Sequence, residues 1–312
     1  MELNLQAQKY DSKNAYNPDT DSFCDAKYGL FFHVLPDERS FRNFVEGFDA
    51  DVFAQECAEC GAGYVFFTLC QNSGFLNVPS RVYSEYSAKP DLCSPRDSVA
   101  ELYEALSKYG IRLMLYVPAN APQGSEAVAY GFGCREKDSG YTGDWLITDK
   151  FTERWCQFYT ELSCRYKERI SGWWIDGFYE WSGCCNDTAQ KYAKALKSGN
   201  KKAIIAFNGG ANSYFYPSEY DDYLAGEWNQ LNHPVCENRW INGVQWHELS
   251  YIGSVWGGGT LQYTADEISS HIHRIGANGG VISIDLPMEE NYTRIRKDAL
   301  QLMKEVRKAV RK

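Results

Sequence analysis

The sequence predicts one TIM-like (β/α)8 barrel, a single domain of the α/β class, on three observations. Eight short apolar runs recur along 312 residues, and amphipathic segments fall between several of them. One barrel fills that length without a second unit. The first runs are YGLFFHV at 28–34, YVFFTL at 64–69, IRLMLYV at 111–117 and GWWIDGF at 172–178. AIIAFN at 203–208, DYLAGEW at 222–228, YIGSVWG at 251–257 and GVISIDL at 280–286 complete the set. Most are continuous rather than alternating, as strands covered on both faces must be.

The helical segments follow the same order. Residues 49–61 put Val52, Phe53, Cys57 and Cys60 on one side. Residues 96–110 space Val99, Leu102, Tyr103 and Leu106 helically and close on Gly110. The stretches 151–170 and 294–312 read alike, while the crossover before the seventh run is irregular. With no internal repeat and no low-complexity linker, the division is an N-terminal extension packing on the barrel (1–24) and the barrel itself (25–312).

A net charge of −9 and a pI near 5.2 argue against a nucleic-acid partner, whose phosphates want a basic face, and against an anionic membrane surface. No apolar stretch approaches the ~20 residues of a membrane helix, and residues 1–29 contain no secretory h-region. Eleven cysteines, an odd number without an export signal, point to reduced thiols in a cytoplasm. Cys57 and Cys60 have zinc-like spacing, but no second pair follows at finger distance. Cys184 and Cys185 are adjacent, and His271 and His273 face different ways on a helix. Burial accounts for these residues better than a metal does.

In a barrel of this kind the chemistry sits at the C-terminal strand ends. Those ends read His33, Gln71, Asn72, Asn120, Asp176, Asn208, Glu227 and Trp256. Carboxylates, amides and aromatics without basic side chains suit a neutral polyhydroxyl ligand, which offers hydroxyls and C–H faces together. Trp173, Trp174, Tyr179, Trp181 and Trp228 cluster nearby, although each taken singly reads as core. Asp176 follows three apolar residues in GWWIDG, where an unpaired carboxylate is costly. It is either a structural acid that caps a loop or pairs with an arginine, or half of a glycosidase carboxyl pair.

Several segments, in order from about residue 25, resemble the catalytic barrel of the α-L-fucosidases, glycoside hydrolase family 29. AKYGLFFHV is similar to that family's first strand, which ends in a sugar-contacting histidine, here His33. FDADVFAQECAECGAGYVFFT resembles its FDA…WA…AGAKY segment, and RDSVAELYEALSKYGIRLMLYVP its third helix–strand unit. GWWIDG matches the strand of the nucleophilic aspartate, and GANGGVISIDLP resembles the last strand, GGNLLLNIGP in the family. The family's HHDGF reads QNSGF here, so Gln71 and Asn72 stand where two histidines contact the sugar. Val34 replaces a tryptophan and Ile284 the asparagine of the last strand, and the family's C-terminal β-sandwich has no counterpart. A partner subunit over the barrel face so uncovered would make a homo-oligomer.

The resemblance implies a retaining exo-glycosidase acting on a terminal fucose or related sugar of an oligosaccharide or small glycoside, with Asp176 as nucleophile. Glu227 is the preferred acid/base, then Glu248, displaced by one from the family's WE because His247 follows Trp246, then Glu237. His33, Gln71 and Asn72 would hold ring hydroxyls, Trp228 and Trp256 would stack, and Tyr116, Trp174 and Asn208 complete the substrate-binding set. Two carboxylates complete both chemical steps, so no metal or organic cofactor is expected. The competing expectation is a catalytically silent or repurposed carbohydrate-binding barrel.

Overall fold

The computed structural model describes residues 16–34, 36–136, 144–231 and 233–311. Eight parallel strands form one curled sheet: Tyr28–Phe32, Tyr64–Thr68, Arg112–Pro118, Gly172–Asp176, Ile204–Phe207, Glu227–Trp228, His247–Tyr251 and Val281–Asp285. We number them one to eight in that order. Strand one pairs with both strand two and strand eight, so the chain's two ends meet in the wall of a (β/α)8 barrel.

The wall is irregular between strands five and six, which share no ladder. Side chains close that seam. Asp222 and Asp221 accept from the backbone N–H groups of Ile205 at 2.9 Å and Phe207 at 2.7 Å, standing in for the missing strand. The Asp222 N–H in turn donates to Ile205 O at 2.8 Å. Within the expected run 222–228 only Glu227 and Trp228 are strand. Gly226 sits just before them at φ +63°, and a Cβ there would stand only 2.0 Å from His247 O, so this close approach to strand seven needs glycine.

Strand seven also differs from expectation, running over His247–Tyr251 rather than 251–257. The GSVWGGG stretch cannot extend, because Gly257 and Gly259 sit at φ +65° and +74° and the loop folds back on Gly253. HELSY looks too polar for a barrel wall, yet His247 and Ser250 are fully buried. His247 is satisfied by Leu224 O and Ser283 Oγ, each at 2.8 Å, and burial pushes its pKa down to about 4.

Helices at Ala50–Glu59, Ser98–Ser107, Asp149–Tyr166 and Lys297–Val310 match the four amphipathic segments. Asp49, Asp97 and Thr148 cap the first three by accepting from Val52, Ala100 and Phe151 N–H. Their apolar faces bury Cys57 and Cys60 in the layer between helices and sheet. Inside the barrel, Phe31, Phe66, Met114, Tyr116, Trp174 and Leu249 form a separate packed core. Phe23 plugs its N-terminal pole against Tyr64, Tyr223 and His247. The extension expected at 1–24 falls outside the described residues as far as residue 15.

Candidate active site

Asp176 ends strand four behind four fully buried residues, and Gly177 at φ +71° turns the chain away at once. Asn208 follows strand five. Its N–H donates to Ile175 O at 2.7 Å and its O accepts from Phe178 N–H at 2.8 Å, so its backbone clamps both sides of Asp176. Its side-chain Nδ2 then donates to Asp176 Oδ1 at 3.0 Å and to Glu227 Oε2 at 2.5 Å. Those two lengths laid end to end bound the separation of the oxygens they join.

Tyr116 and Gln71 complete the setting of Asp176, donating to Oδ2 at 2.5 and 3.4 Å. Gln71, Tyr116 and Asn208 all donate to it. Glu227 is held differently. Burial pushes its pKa up to about 7, the charge of Asp176 adds to this, and Asn208 and His33 pull back only in part. A carboxyl near neutrality thus stands beside a carboxylate whose partners all donate, the division of roles that acid and nucleophile require.

His33 ends strand one, nearly buried, with its ring 5.9 Å from Tyr116 and 5.4 Å from Trp256. Its Nδ1 lies 2.7 Å from Oδ1 of Asp285, which ends strand eight. Gln71, Asn72, Asp176, Trp145, Tyr179 and Trp181 line a cavity of ≈ 240 Å³ that reaches Asp176, while Glu227, His33 and Trp256 lie outside its lining. Gln71 Oε1 is buried there without a hydrogen-bond partner. A larger cavity of ≈ 690 Å³, beyond Ser73 and Gly124, contains neither Asp176 nor Glu227.

Several sequence candidates lie elsewhere. Glu248 is on the outer face of strand seven, because period-two alternation turns His247 and Leu249 inward. Trp228 likewise faces outward from Glu227, stacked on His233 at 4.2 Å, so it does not set the environment of Glu227. Trp174 is buried under Tyr116, stacked at 5.3 Å, with Nε1–H given to Ala225 O. Glu237 is an exposed loop residue. Asn120 spends its side chain on Trp145 O and Ala121 N–H. Trp256 sits over His33, and Asn72 is exposed at the cavity rim.

Sequence reasoning missed Asp285, and it placed Tyr179 only among the clustered aromatics. Counted from Gly279, the second asparagine of GGNLLLNIGP falls on Asp285 rather than Ile284. The signal was present, since an acid after VISI repeats the pattern of WWID.

Among the described residues, His233, Glu248 and His271 form one group with the donors for a metal ion. Its hydrogen bonds fit a proton network instead. Arg274, which can only donate, gives Nη2–H to His271 Nδ1 at 2.6 Å. His271 therefore carries its proton on Nε2 and donates it to Glu248 Oε2 at 3.0 Å, which occupies the lone pair a metal needs. Tyr214 donates to the other oxygen at 2.6 Å, and His233 Nε2 lies at ion-pair distance, 3.1 Å, though outside hydrogen-bond geometry. Burial alone would raise the Glu248 pKa, and the two histidines reverse that direction.

The family model described as Alpha-L-fucosidase matches residues 37–282. The chain belongs to the α-L-fucosidase family. A family 29 α-L-fucosidase from Bacteroides thetaiotaomicron, solved as a trapped covalent intermediate, superposes with a TM-score of 0.65 at 16% identity, covering 99% of this chain and 77% of that one. The α-L-fucosidase AlfC from Lactobacillus casei, in complex with α-L-fucose product, gives 0.65 at 16%, covering 95% and 98%. An endo-fucoidan hydrolase of glycoside hydrolase family 107 gives 0.69 at 17%, and the chain spans about half of its length, 54%. No curated protein matches the chain. At these identities the structural likeness shows the shared barrel, and the family match stands on its own.

Proposed function

We propose that the chain is a retaining exo-glycosidase that removes a terminal fucose or related sugar, with Asp176 as nucleophile and Glu227 as general acid and base. The observation that carries this is the bridge through Asn208, which holds the two carboxyl oxygens 3.0 and 2.5 Å from one nitrogen. Even fully extended, that arrangement falls short of the ~6.5–9.5 Å an inverting pair needs to seat a water, and suits the ~5–5.5 Å of a retaining pair.

In the first step an oxygen of Asp176 bonds to the anomeric carbon as the glycosidic C–O bond breaks. Glu227 gives its proton to the departing oxygen, a contribution of typically ~10²–10⁴-fold. In the second step Glu227, now ionised, takes a proton from water while that water's oxygen displaces Asp176. Two inversions at one carbon return the starting configuration. Tyr116, Gln71 and Asn208 hold Asp176 so that little reorientation precedes attack.

The ≈ 240 Å³ cavity is small against the ~300–1,000 Å³ of drug-sized ligand sites, which supports a single terminal ring over a threaded chain. Gln71 lines the cavity and gives Nε2–H to Asp176 Oδ2 at 3.4 Å, so the amide that stands for the histidine orients the proposed nucleophile. The covalent intermediate named for the Bacteroides relative supports double displacement. A binding-only barrel has no need of an acid tuned to about 7 beside a second acid, which weighs against the silent reading. No helix among the described residues is long and apolar enough to cross a membrane, and the unpaired cysteines support a reducing, cytoplasmic setting.

A panel of aryl glycosides tests the proposal, with proton NMR of the first-formed anomer. Turnover of the α-L-fucoside with the α-anomer appearing first is expected. Release of the β-anomer first, or no turnover of any member, would refute it.

A further inference from the structure

We propose that Asp285 is a positioning residue for His33, holding its Nδ1–H so that Nε2 faces the sugar as a hydrogen-bond donor. The proposal rests on the functional reading above and concerns a residue outside the carboxyl pair. Asp285 is fully buried at the end of strand eight. Both its oxygens are committed: Oδ1 lies 2.7 Å from His33 Nδ1, and Oδ2 accepts from Gly257 N–H at 2.5 Å. Gly257 is at φ +65°, and a Cβ there would stand 3.1 Å from His33 Cβ, so this loop passes close beside the root of the His33 side chain. Ring packing against Phe31 at 4.8 Å and Trp256 at 5.4 Å fixes the rest of the orientation.

A carboxylate can only accept, so the proton on Nδ1 is settled, and Nε2 is the ring's remaining polar atom. An amide at 285 would accept the same bond, so the carboxylate's distinct contribution is its charge. Burial lowers the His33 pKa, and Asp285 reverses this by charge and by its hydrogen bond, with Asp176 and Glu227 adding to it. Tyr116, another titratable neighbour, gives its hydroxyl proton to Asp176. The cationic form is thereby favoured, and a cationic imidazole donates from Nε2. A sugar oxygen that accepts this bond is held more tightly than by a neutral ring, which would offer a lone pair instead.

The experiment compares the full chain with Asp285→Asn and Asp285→Ala in two readouts. Imidazole NMR follows the titration of His33, and kcat and KM for 4-nitrophenyl α-L-fucopyranoside are measured against pH. In Asp285→Asn the His33 titration is expected to move to lower pH by about one unit, and the rise in KM with pH to move with it. The pH limb of kcat set by Glu227 is expected to move the opposite way, to higher pH, because a neutral His33 no longer holds the Glu227 pKa down. In Asp285→Ala, KM is expected to rise about tenfold or more at every pH. If His33 titrates alike in wild type and Asp285→Asn, or if it shifts while KM does not, the proposal is wrong. A purely structural role would lower thermal stability in both variants and leave KM and its pH profile unmoved. If the wild type turns over no glycoside, the hydrolase reading fails separately. L-fucose affinity against pH then replaces KM, with the same shift required.

Discussion

Asp176 and Glu227 share one hydrogen-bond donor, the Nδ2 of Asn208, at 3.0 and 2.5 Å. A single amide thereby sets the spacing of the two acids and acts on the proton affinity of one of them. Asn208→Ala removes a bond that holds the Glu227 pKa down. The basic limb of the kcat profile is therefore expected to move to higher pH, while kcat falls about 10²-fold or more as Asp176 loses a fixed donor. A pH–rate profile checks both, and an unmoved limb would count against the bridge.

Glu227 links catalysis to stability through its raised pKa. Between the ordinary glutamate range and about 7 the folded state binds a proton that the unfolded chain has released. Unfolding free energy should therefore fall as pH rises through that window, by up to about 3 kcal/mol, and Glu227→Gln should lack this loss. Urea denaturation at pH 4.5 to 7.5 on both proteins measures the difference. Identical slopes would show that Glu227 titrates normally.

Glu248 is the nearer rival to Glu227 among the three glutamates that the sequence offers. It lies on the barrel's outer face with Tyr214, His233 and His271. Glu248→Ala strands two buried histidines, and the expected cost is about 3–5 kcal/mol of stability. kcat per folded molecule should remain within about twofold, since nothing in the carboxyl pair is touched. Active-site titration combined with chemical denaturation distinguishes this from a catalytic loss.

Gly226 places Glu227. Any Cβ at this position would fall 2.0 Å from His247 O, at a φ of +63° that L side chains avoid. Gly226→Ala should push strand six from strand seven by an ångström or so and lower kcat/KM about 10²-fold, through geometry alone. Steady-state kinetics with a thermal melt would show a loss out of proportion to the destabilisation.

The barrel and half of the candidate site were legible because the strands are continuous apolar runs that end in isolated polar residues. That pattern located His33, Asp176, Asn208 and Glu227. Local sequence could not say which way a strand residue faces, since one position of register exchanges the core side for the helix side. Hence the sequence presents Trp228 as a neighbour of the Glu227 carboxyl and Glu248 as its rival, and the strand faces show neither. Strand seven is displaced from the expected run because its buried His247 and Glu248 are satisfied by Ser283, Leu224 and His271, which are distant in sequence. Asp285 went unseen because its meaning lies in His33, at the opposite end of the chain.

The most direct test is the mass of the protein after incubation with an activated 2-fluoro-fucosyl donor, followed by peptide mapping. Double displacement through Asp176 predicts an increase of one fluoro-fucosyl group, carried on the peptide that contains WWIDG and absent from Asp176→Asn. An unmodified protein that still hydrolyses aryl fucosides, or a label on any other carboxyl, would contradict it.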